Sequence, residues 1–282
     1  MKILFVIVNY NSEKLLYQNL NSLLPQVEDV CEKNDNIINI IIVDNDGKVD
    51  ACVVEKYKSI KLVTPKNNLG FCEGNNYGLE VMEWKNYDFV VFLNPDIILP
   101  KDWLNNSLKL IEKDSHCDIG IFSGYLLGYD FKENKPTGMF DSCGIYRTWT
   151  GKWYDKRQGK PINNKAISQE VEPPGICGAL MICRVSALIN VEDMHGIFDK
   201  RFFAYKEDID LSIRFRKKQY RLRIFPELNA YHGRGWNKNR VDVPKKLRLI
   251  SARNEFLLNI KNVSIYSAVS ALKWTYVRFL EK

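Results

Sequence analysis

Ten residues constrain this chain more than any others: Tyr87-Asp88-Phe89-Val90-Val91-Phe92-Leu93-Asn94-Pro95-Asp96. Five apolar residues in a row, bounded by Asp88 and by Asn94-Pro95, read as a strand buried on both faces, as at the centre of a parallel sheet. Pro95 has no N–H to give the ladder, so the strand stops there. It hands the chain a carboxylate, Asp96, at its C-terminal end. Open α/β sheets bind ligands just beyond the carboxyl ends of their strands. Asp96 is therefore a first candidate, against the plainer reading of a turn aspartate after a proline.

The first 115 or so residues repeat that arrangement. Lys2–Asn9 reads as a strand. A helix follows with Leu15, Leu16, Leu20, Leu23 and Leu24 near a 3.6 period, ending at Pro25. Ile37–Val43 is a second buried strand, delivering Asp44 and Asn45. A weak helix over 48–58 and a strand Ile60–Thr64 come next. The Asn- and Gly-rich stretch 65–78 reads as a loop whose end opens a helix to about Trp84. After the central strand, a helix runs from Lys101 to Lys113. This β-α alternation predicts a parallel sheet flanked by helices.

Residues 118–175 read differently: a strand Ile119–Leu127, then short aromatic segments with Trp149, Trp153 and scattered glycines, as in a meander or an acceptor-side insertion. Gly178–Cys183 is another buried strand. An aromatic loop over 193–206 leads into a helix opened by Glu207-Asp208. Short strands at 222–225 and 228–231 precede His232, and two helices, 244–260 and 265–280, finish the chain.

What is missing narrows the chemistry. The loop after the first strand has neither Gly-x-Gly-x-x-Gly nor Gly-x-x-x-x-Gly-Lys-Ser/Thr, which disfavours dinucleotide cofactors and P-loop hydrolysis. Gly-x-Gly-x-Arg is also absent near the start, which disfavours nucleotidyl transfer. The seven cysteines form no Cys-x-x-Cys pair, so reduced thiols in a cytoplasm are expected, and a zinc site is not. The N-terminal apolar run is six residues with no small-residue cleavage site, a strand rather than a leader. No stretch approaches the roughly 20 apolar residues of a membrane span.

Two further candidates carry chemistry. Carboxylates at a helix start, such as Glu207 and Asp208, are stabilised by the helix dipole and free N–H groups, which favours their ionised form. An ionised aspartate serves as a general base when a substrate hydroxyl reaches it. Helix capping is the competing reading. His232, alone after a strand, gains a role if Asp96 holds a divalent ion, since Mg²⁺ takes carboxylate and phosphate oxygens and Mn²⁺ also accepts imidazole.

In order along the chain stand Val8-Asn9-Tyr10-Asn11-Ser12, Val43-Asp44-Asn45, Asn67-Asn68-Leu69-Gly70-Phe71, Gly74-Asn75-Asn76-x-Gly78 and Leu93-Asn94-Pro95-Asp96. Gly178-Ala179-x-Met181, Phe198-Asp199, Phe202-Phe203, Glu207-Asp208-x-Asp210-Leu211 and His232 follow. Together, over about residues 3–235, they resemble family 2 glycosyltransferases of GT-A fold, particularly the rhamnosyltransferase-like branch. The resemblance implies an inverting, metal-dependent transfer of one sugar from a nucleoside-diphosphate donor (dTDP-rhamnose-like or UDP-hexose) to a glycan or polyprenyl-diphosphate-linked acceptor in cell-surface polysaccharide synthesis. Asn9 and Tyr10 would lie against the nucleotide, and Asp44 would bond the base. Asn45, Asn68, Gly70, Asn75 and Asn94 would line the donor cleft. Asp96, where the family's Asp-x-Asp ends, and His232 would bind Mg²⁺ or Mn²⁺; Asn94 replaces the first Asp, removing one charge. Asp208 matches the base, with Glu207 beside it. Trp149, Trp153, Gly178 and Trp236 fall on the acceptor side. The Gln-x-x-Arg-Trp motif of processive synthases is absent, which favours single additions.

Domain boundaries follow: 1–235 as the GT-A catalytic domain, with a donor half 1–115 and an acceptor half 116–235, and 236–282 as basic C-terminal helices. Residues 211–282 hold 17 Lys+Arg against 4 Asp+Glu, leaving 24 against 30 elsewhere. A basic tail on an acidic body suggests an anionic partner. Basic helices with aromatic faces lie on anionic membranes, so a peripheral position at the inner face of a membrane is one reading; a packing pair or a homodimer contact is the other. A nucleic-acid partner is disfavoured because the tail's aromatics sit among aliphatics at helical spacing. A catalytically silent sugar-nucleotide-binding module is the remaining alternative, and the intact Asp96 and Glu207-Asp208 weigh against it.

Overall fold

In the computed structural model the apolar runs are strands of one mixed sheet. The structure describes residues 1–33, 35–54, 56–233 and 243–281. In chain order the elements are β1 Lys2–Asn9, α1 Glu13–Lys33, β2 Ile37–Asp44, α2 Ala51–Val54, β3 Ile60–Val63, α3 Gly70–Val81, β4 Phe89–Leu93, β5 Ile97–Ile98 and α4 Trp103–Ile111. Then come β6 Ile119–Ser123, β7 Leu126–Asp130, β8 Lys135–Ser142, β9 Ile145–Arg147, β10 Trp153–Asp155, α5 Asn164–Ile167, β11 Leu180–Arg184 and α6 Val185–Val191. The chain closes with α7 Glu207–Lys217, β12 Arg221–Ile224, β13 Ala230–His232, α8 Lys245–Lys261 and α9 Ser267–Phe279.

Seven strands run in the order β12-β6-β11-β4-β1-β2-β3. The β4-β1-β2-β3 half is parallel, as the β-α alternation predicts, whereas β11 is antiparallel to both β4 and β6. Strand order reverses at β1, whose neighbours are β2 and β4. That is the switch point beside which such sheets open a ligand crevice at their carboxyl edge. A second sheet, β5-β13-β7-β8, is joined to the carboxyl end of β4 through β5, and β9 and β10 form a separate antiparallel pair. Phe89–Leu93 is buried along its whole length.

Four local expectations are corrected. Pro25 does not end the first helix, which continues to Lys33. An internal proline costs a helix about 3 kcal/mol. Beyond it Val27 and Val30 are buried, and each such burial returns roughly 1.5–3 kcal/mol. The Gln26 side chain also donates to the Ser22 carbonyl at 2.7 Å and to the Pro100 carbonyl at 3.1 Å. The stretch 65–78 is only half loop, because α3 begins at Gly70. Gly74 and Gly78 are packing residues: a Cβ on either would lie 3.0 Å from the Val8 or Val6 side chain of β1. The helix over 48–58 shrinks to α2. The strand over 119–127 breaks into β6 and β7, in different sheets, at Gly124, where a Cβ would fall 1.7 Å from the Leu228 carbonyl oxygen. The seven cysteines are all free thiols. Among the described residues no helix is long and apolar enough to cross a membrane.

Candidate active site

The ends of β1 and β2 pair in register, Asn9 opposite Asp44. Asn9 Nδ2 donates to Asp44 Oδ1 at 3.1 Å, and Val49 N donates to Asp44 Oδ2 at 2.9 Å. Ser12 Oγ donates to Asn9 Oδ1 at 2.8 Å. Asn9 and Asp44 are both buried. Asp44 thus braces two strand ends, each oxygen accepting one hydrogen bond and keeping a further lone pair. Tyr10 beside them is 52% exposed and presents a ring to solvent.

The next asparagines shape the loop before α3. Asn45 Nδ2 donates to the Gly70 carbonyl at 3.1 Å, Asn45 Oδ1 accepts from Leu69 N at 3.2 Å, and Asn68 Oδ1 accepts from Gly70 N at 2.7 Å. Gly70 has φ of +72°, and a Cβ on it would lie 2.5 Å from the Phe203 ring. Only glycine meets both demands, the left-handed backbone and the close approach. Asn75 is buried and bonds the Phe71 carbonyl within its own helix. Asn76 reaches across instead, donating to the Phe198 carbonyl at 2.7 Å and accepting from Phe198 N at 3.0 Å. The donor-side loop and the aromatic loop are therefore one fixture.

At the end of β4, Asn94 N donates to the Ala179 carbonyl at 2.9 Å, while the Asn94 carbonyl accepts from buried Asn19 of α1 at 3.4 Å. Two residues on, β5 pairs with β13, and this pairing brings Asp96 Oδ1 to 3.4 Å from His232 Nε2. The other imidazole nitrogen, Nδ1, lies 2.7 Å from Asp141 Oδ2. Burial alone would pull the His232 pKa down, but Asp96 and Asp141 outweigh it and push it up to about 9. A carboxylate behind a histidine is the arrangement that orients the ring toward a metal. Asp141 lies on the far side of the ring, so two groups, not three, face a common point. Accordingly, no cluster of three or more His, Cys, Asp or Glu able to hold a metal occurs among the described residues.

Asp208 reaches the same edge of the sheet from the other side. Gly178 N donates to Asp208 Oδ2 at 3.2 Å and Ile209 N donates to Oδ1 at 2.8 Å. Gly178 precedes β11, whose first residue pairs with Leu93 of β4. The end that delivers Asp96 and the segment that receives Asp208 are thus neighbours in one ladder. A Cβ on Gly178 would sit 3.2 Å from the Asp208 Cβ.

Glu207, 8% exposed, is unlike its neighbour: its Oε2 has no hydrogen-bond partner. Burial, reinforced by the charge of Asp208, raises its carboxyl to about 8. This corrects the expectation that both acids stay ionised, because desolvation outweighs the helix start. Asp208 is also raised by burial, but it keeps two backbone N–H partners and is partly exposed. Of the two, Asp208 is the better held as an anion, because backbone N–H groups face both of its oxygens while Glu207 Oε2 has no partner among the described residues.

The turn before these acids is strained. Phe203, Tyr205 and Lys206 have φ of 64°, 72° and 74°, each costing a non-glycine residue roughly 1–2 kcal/mol. Phe203 O accepts from Phe71 N and Cys72 N, the free donors at the start of α3, at 2.8 and 3.1 Å.

Of the acceptor-side residues, Gly178 touches Asp208. Trp149 is 89% exposed, between β9 and β10. Trp153 packs on Arg147, and both line a cavity of about 290 Å³ with Asn259 and Tyr266 of the C-terminal region. Trp236 lies outside the described residues. Sequence reasoning missed Asp141, Asn19, Asn254 and Lys261. A signal for Asn254 existed: it falls on the apolar stripe Leu247, Ile250, Leu257, Leu258 of its helix, where a polar residue needs an internal partner.

The chain is similar to known proteins. Residues 4–188 match the family described as glycosyl transferase family 2. Rhamnosyltransferase WbbL of Escherichia coli K12 is 25% identical over 238 residues, covering 80% of this chain and 81% of that protein. The low-salt glycan biosynthesis hexosyltransferase Agl10 of Haloferax volcanii is 25% identical over 289 residues, 98% of this chain and 83% of that one. Among solved structures, GalNAc-T7 with UDP, GalNAc and Mn²⁺ superimposes with a TM-score of 0.60 at 14% identity, over 88% of this chain and 48% of that one. The mannosyltransferase PcManGT of Pyrobaculum calidifontis, with GDP-Man and Mn²⁺, gives 0.55 at 14% identity, over 99% and 70%.

Proposed function

This chain belongs to glycosyl transferase family 2, and on that premise we propose an inverting transfer of one hexosyl or rhamnosyl unit with Asp208 as the base. The fold is GT-A, and the activity is that of a glycosyltransferase using nucleotide sugars. One observation carries the finer reading: a partly exposed carboxylate, fixed by two backbone N–H groups and flanked by a neutral acid, stands at the sheet edge where Asp96 and His232 meet.

Asp208 takes the proton of the acceptor hydroxyl as the oxygen attacks the anomeric carbon. Such assistance is typically worth about 10²–10⁴-fold. Attack from the face opposite the leaving diphosphate inverts the centre. Asp96 and His232, whose Oδ1 and Nε2 lie 3.4 Å apart, would hold a divalent ion, which would displace the imidazole proton on binding. Donor phosphates and water would complete the shell. When bound, the ion neutralises the charge growing on the diphosphate. Mn²⁺ in the GalNAc-T7 and PcManGT structures supports that assignment. Tyr10 offers its ring to the nucleoside, and Asn45, Asn68 and Gly70 hold the loop that borders it.

The names of the relatives, a rhamnosyltransferase and a glycan biosynthesis hexosyltransferase, support a rhamnosyl or hexosyl unit as the group transferred and a glycan as the product; dTDP-rhamnose or a UDP-hexose as donor and a polyprenyl-diphosphate-linked acceptor are the readings we test. Ile265, Val269, Leu272, Tyr276 and Phe279 are exposed at spacings that align them on one face of α9 and its lead-in. With Arg278 nearby, that face suits an anionic membrane carrying such an acceptor. Flotation with anionic liposomes, lost on changing Leu272 and Phe279 to Ser, supports the membrane; unchanged flotation, or dimer dissociation instead, rejects it. For the activity, thermal-shift screening of dTDP-rhamnose, UDP-glucose and UDP-GlcNAc with Mn²⁺ is the direct test. One donor should raise the melting temperature in a metal-dependent way; no shift with any of them overturns the donor reading.

A further inference from the structure

Four carbonyls of the turn that delivers Asp208 accept from two distant helices, α3 and α8. Phe203 O faces the start of α3. Three more, Phe202 O, Ala204 O and Tyr205 O, all accept from one side-chain amide, Asn254 Nδ2 of α8, at 2.7, 2.7 and 2.9 Å; Phe202 O also accepts from Ala204 N at 2.8 Å, and Lys206 O accepts from Asp210 N of α7 at 3.0 Å. Asn254 is fully buried, and its own Oδ1 has no partner. Its two amide protons thus serve three carbonyls. Asp or Leu, near it in size, has no such donor pair to offer.

The same helix face continues the attachment. Seven residues on, two turns of helix, Lys261 Nζ lies 2.9 Å from Asp193, 2.8 Å from Asp199 and 3.0 Å from Asp210. Asp210 shares the first turn of α7 with Asp208. Arg253 Nη2 donates to the Arg201 carbonyl at 2.7 Å. Helix α8 is therefore fastened to the turn and to the start of α7.

We infer that Asn254 is a positioning residue for transfer: it holds the 202–206 turn in its left-handed path and so keeps the Asp208 carboxylate against Gly178. The inference rests on Asp208 being the base. It gives the C-terminal helix a part in the chemistry itself, independent of any membrane or acceptor contact by α9. The backbone of three non-glycine residues in left-handed conformations persists only when its surroundings over-determine it, and Asn254 supplies three of the bonds that do so.

The test uses the full chain with Mn²⁺ and dTDP-rhamnose or UDP-glucose, whichever stabilises it more. Nucleoside diphosphate released by transfer to water is measured across pH, so no acceptor has to be known. In Asn254→Ala the kcat should fall by about 10- to 100-fold, since a misplacement near 1 Å at the reacting centre costs that much, while the donor KM stays within about twofold. The acidic limb of kcat should also move up by about half a pH unit, because a loosened Asp208 loses part of its bond from Gly178 N. The charged and titratable groups around Asp208 are Glu207 and Lys206 beside it, Asp155 from β10 and Cys72 from α3. None of these is changed by the substitution. A merely structural role would lower the melting temperature and leave the limb where it was. Asn254→Ser, which retains one donor, should lie between the two and serves if the alanine variant does not fold. Wild-type kcat with an unmoved limb in a folded variant overturns the inference. Asp208→Asn run alongside separates the failures: retained release there defeats the base assignment, whereas its loss together with an unaffected Asn254 variant defeats the positioning alone.

Discussion

Asp44 and Asp208 are both carboxylates at the crevice edge, held in opposite ways. Asp44 ends a strand, is 1% exposed, and has its oxygens engaged by Asn9 of the adjacent strand and by Val49 five residues on. Asp208 opens a helix, is partly exposed, and is fixed by Gly178 thirty residues earlier through a strained turn. The first ties strand ends together. The second keeps a face exposed while both its oxygens accept from backbone N–H groups, which is what the proposed base needs. A carboxylate's position at the end of a strand therefore does not determine its role; the partners of its oxygens do.

The largest effect that could break this comparison is on transfer. Asp208→Asn should lower kcat by about 10²–10⁴-fold while donor binding, read by thermal shift, stays near wild type. Equivalent kcat in the variant would return Asp208 to the status of a cap. A smaller effect tests the seam between the two regions. Gly70→Ala forces a left-handed alanine and a Cβ 2.5 Å from the Phe203 ring. Overpacking of this kind typically costs about 1–3 kcal/mol, so urea unfolding should show a lower midpoint with the slope preserved. Donor KM should rise, because the loop held by Asn45 and Asn68 moves with Gly70. Wild-type stability and KM would mean that the aromatic loop yields freely, against the bonds that Asn76 and Asn254 make to it.

How far the sequence revealed each region follows from the same contrast. The donor half was legible because its determinants are local: apolar runs of strand length, each followed by a polar residue at the carboxyl edge. Its errors were local too, Pro25 and the glycines of α3, where tertiary burial overrode propensity. In the acceptor half the pair Glu207-Asp208 was visible, but not what distinguishes its members. That depends on Gly178, on Phe203 over Gly70 and on Asn254 from 46 residues beyond Asp208, contacts with no periodic signature. The partners of the basic tail were not legible for the same reason. Lys261 is held by three aspartates, and Arg248, Arg253 and Lys273 have partners inside the molecule, so part of the charge excess is structural rather than offered to an anion.

The smallest predicted effect is the most discriminating about the dyad itself. If Glu207 carries the proton, its folded pKa of about 8 lies above the unfolded value near 4.5. Between those values the folded state holds a proton that the unfolded state has released, so stability falls as pH rises through that window. Gln mimics the protonated form and has nothing to lose. Glu207→Gln should thus match the wild-type melting temperature near pH 4.5. By pH 8 it should exceed it by roughly 2–4 °C for each kcal/mol recovered, with transfer largely kept at neutral pH. A difference that does not change with pH would mean that Glu207 is ionised in the native protein. The proton would then sit on Asp208 and the two roles would exchange. In that case Glu207→Gln should abolish transfer and Asp208→Asn should spare it, the reverse of the order that the backbone donors on Asp208 and the bare Oε2 of Glu207 imply.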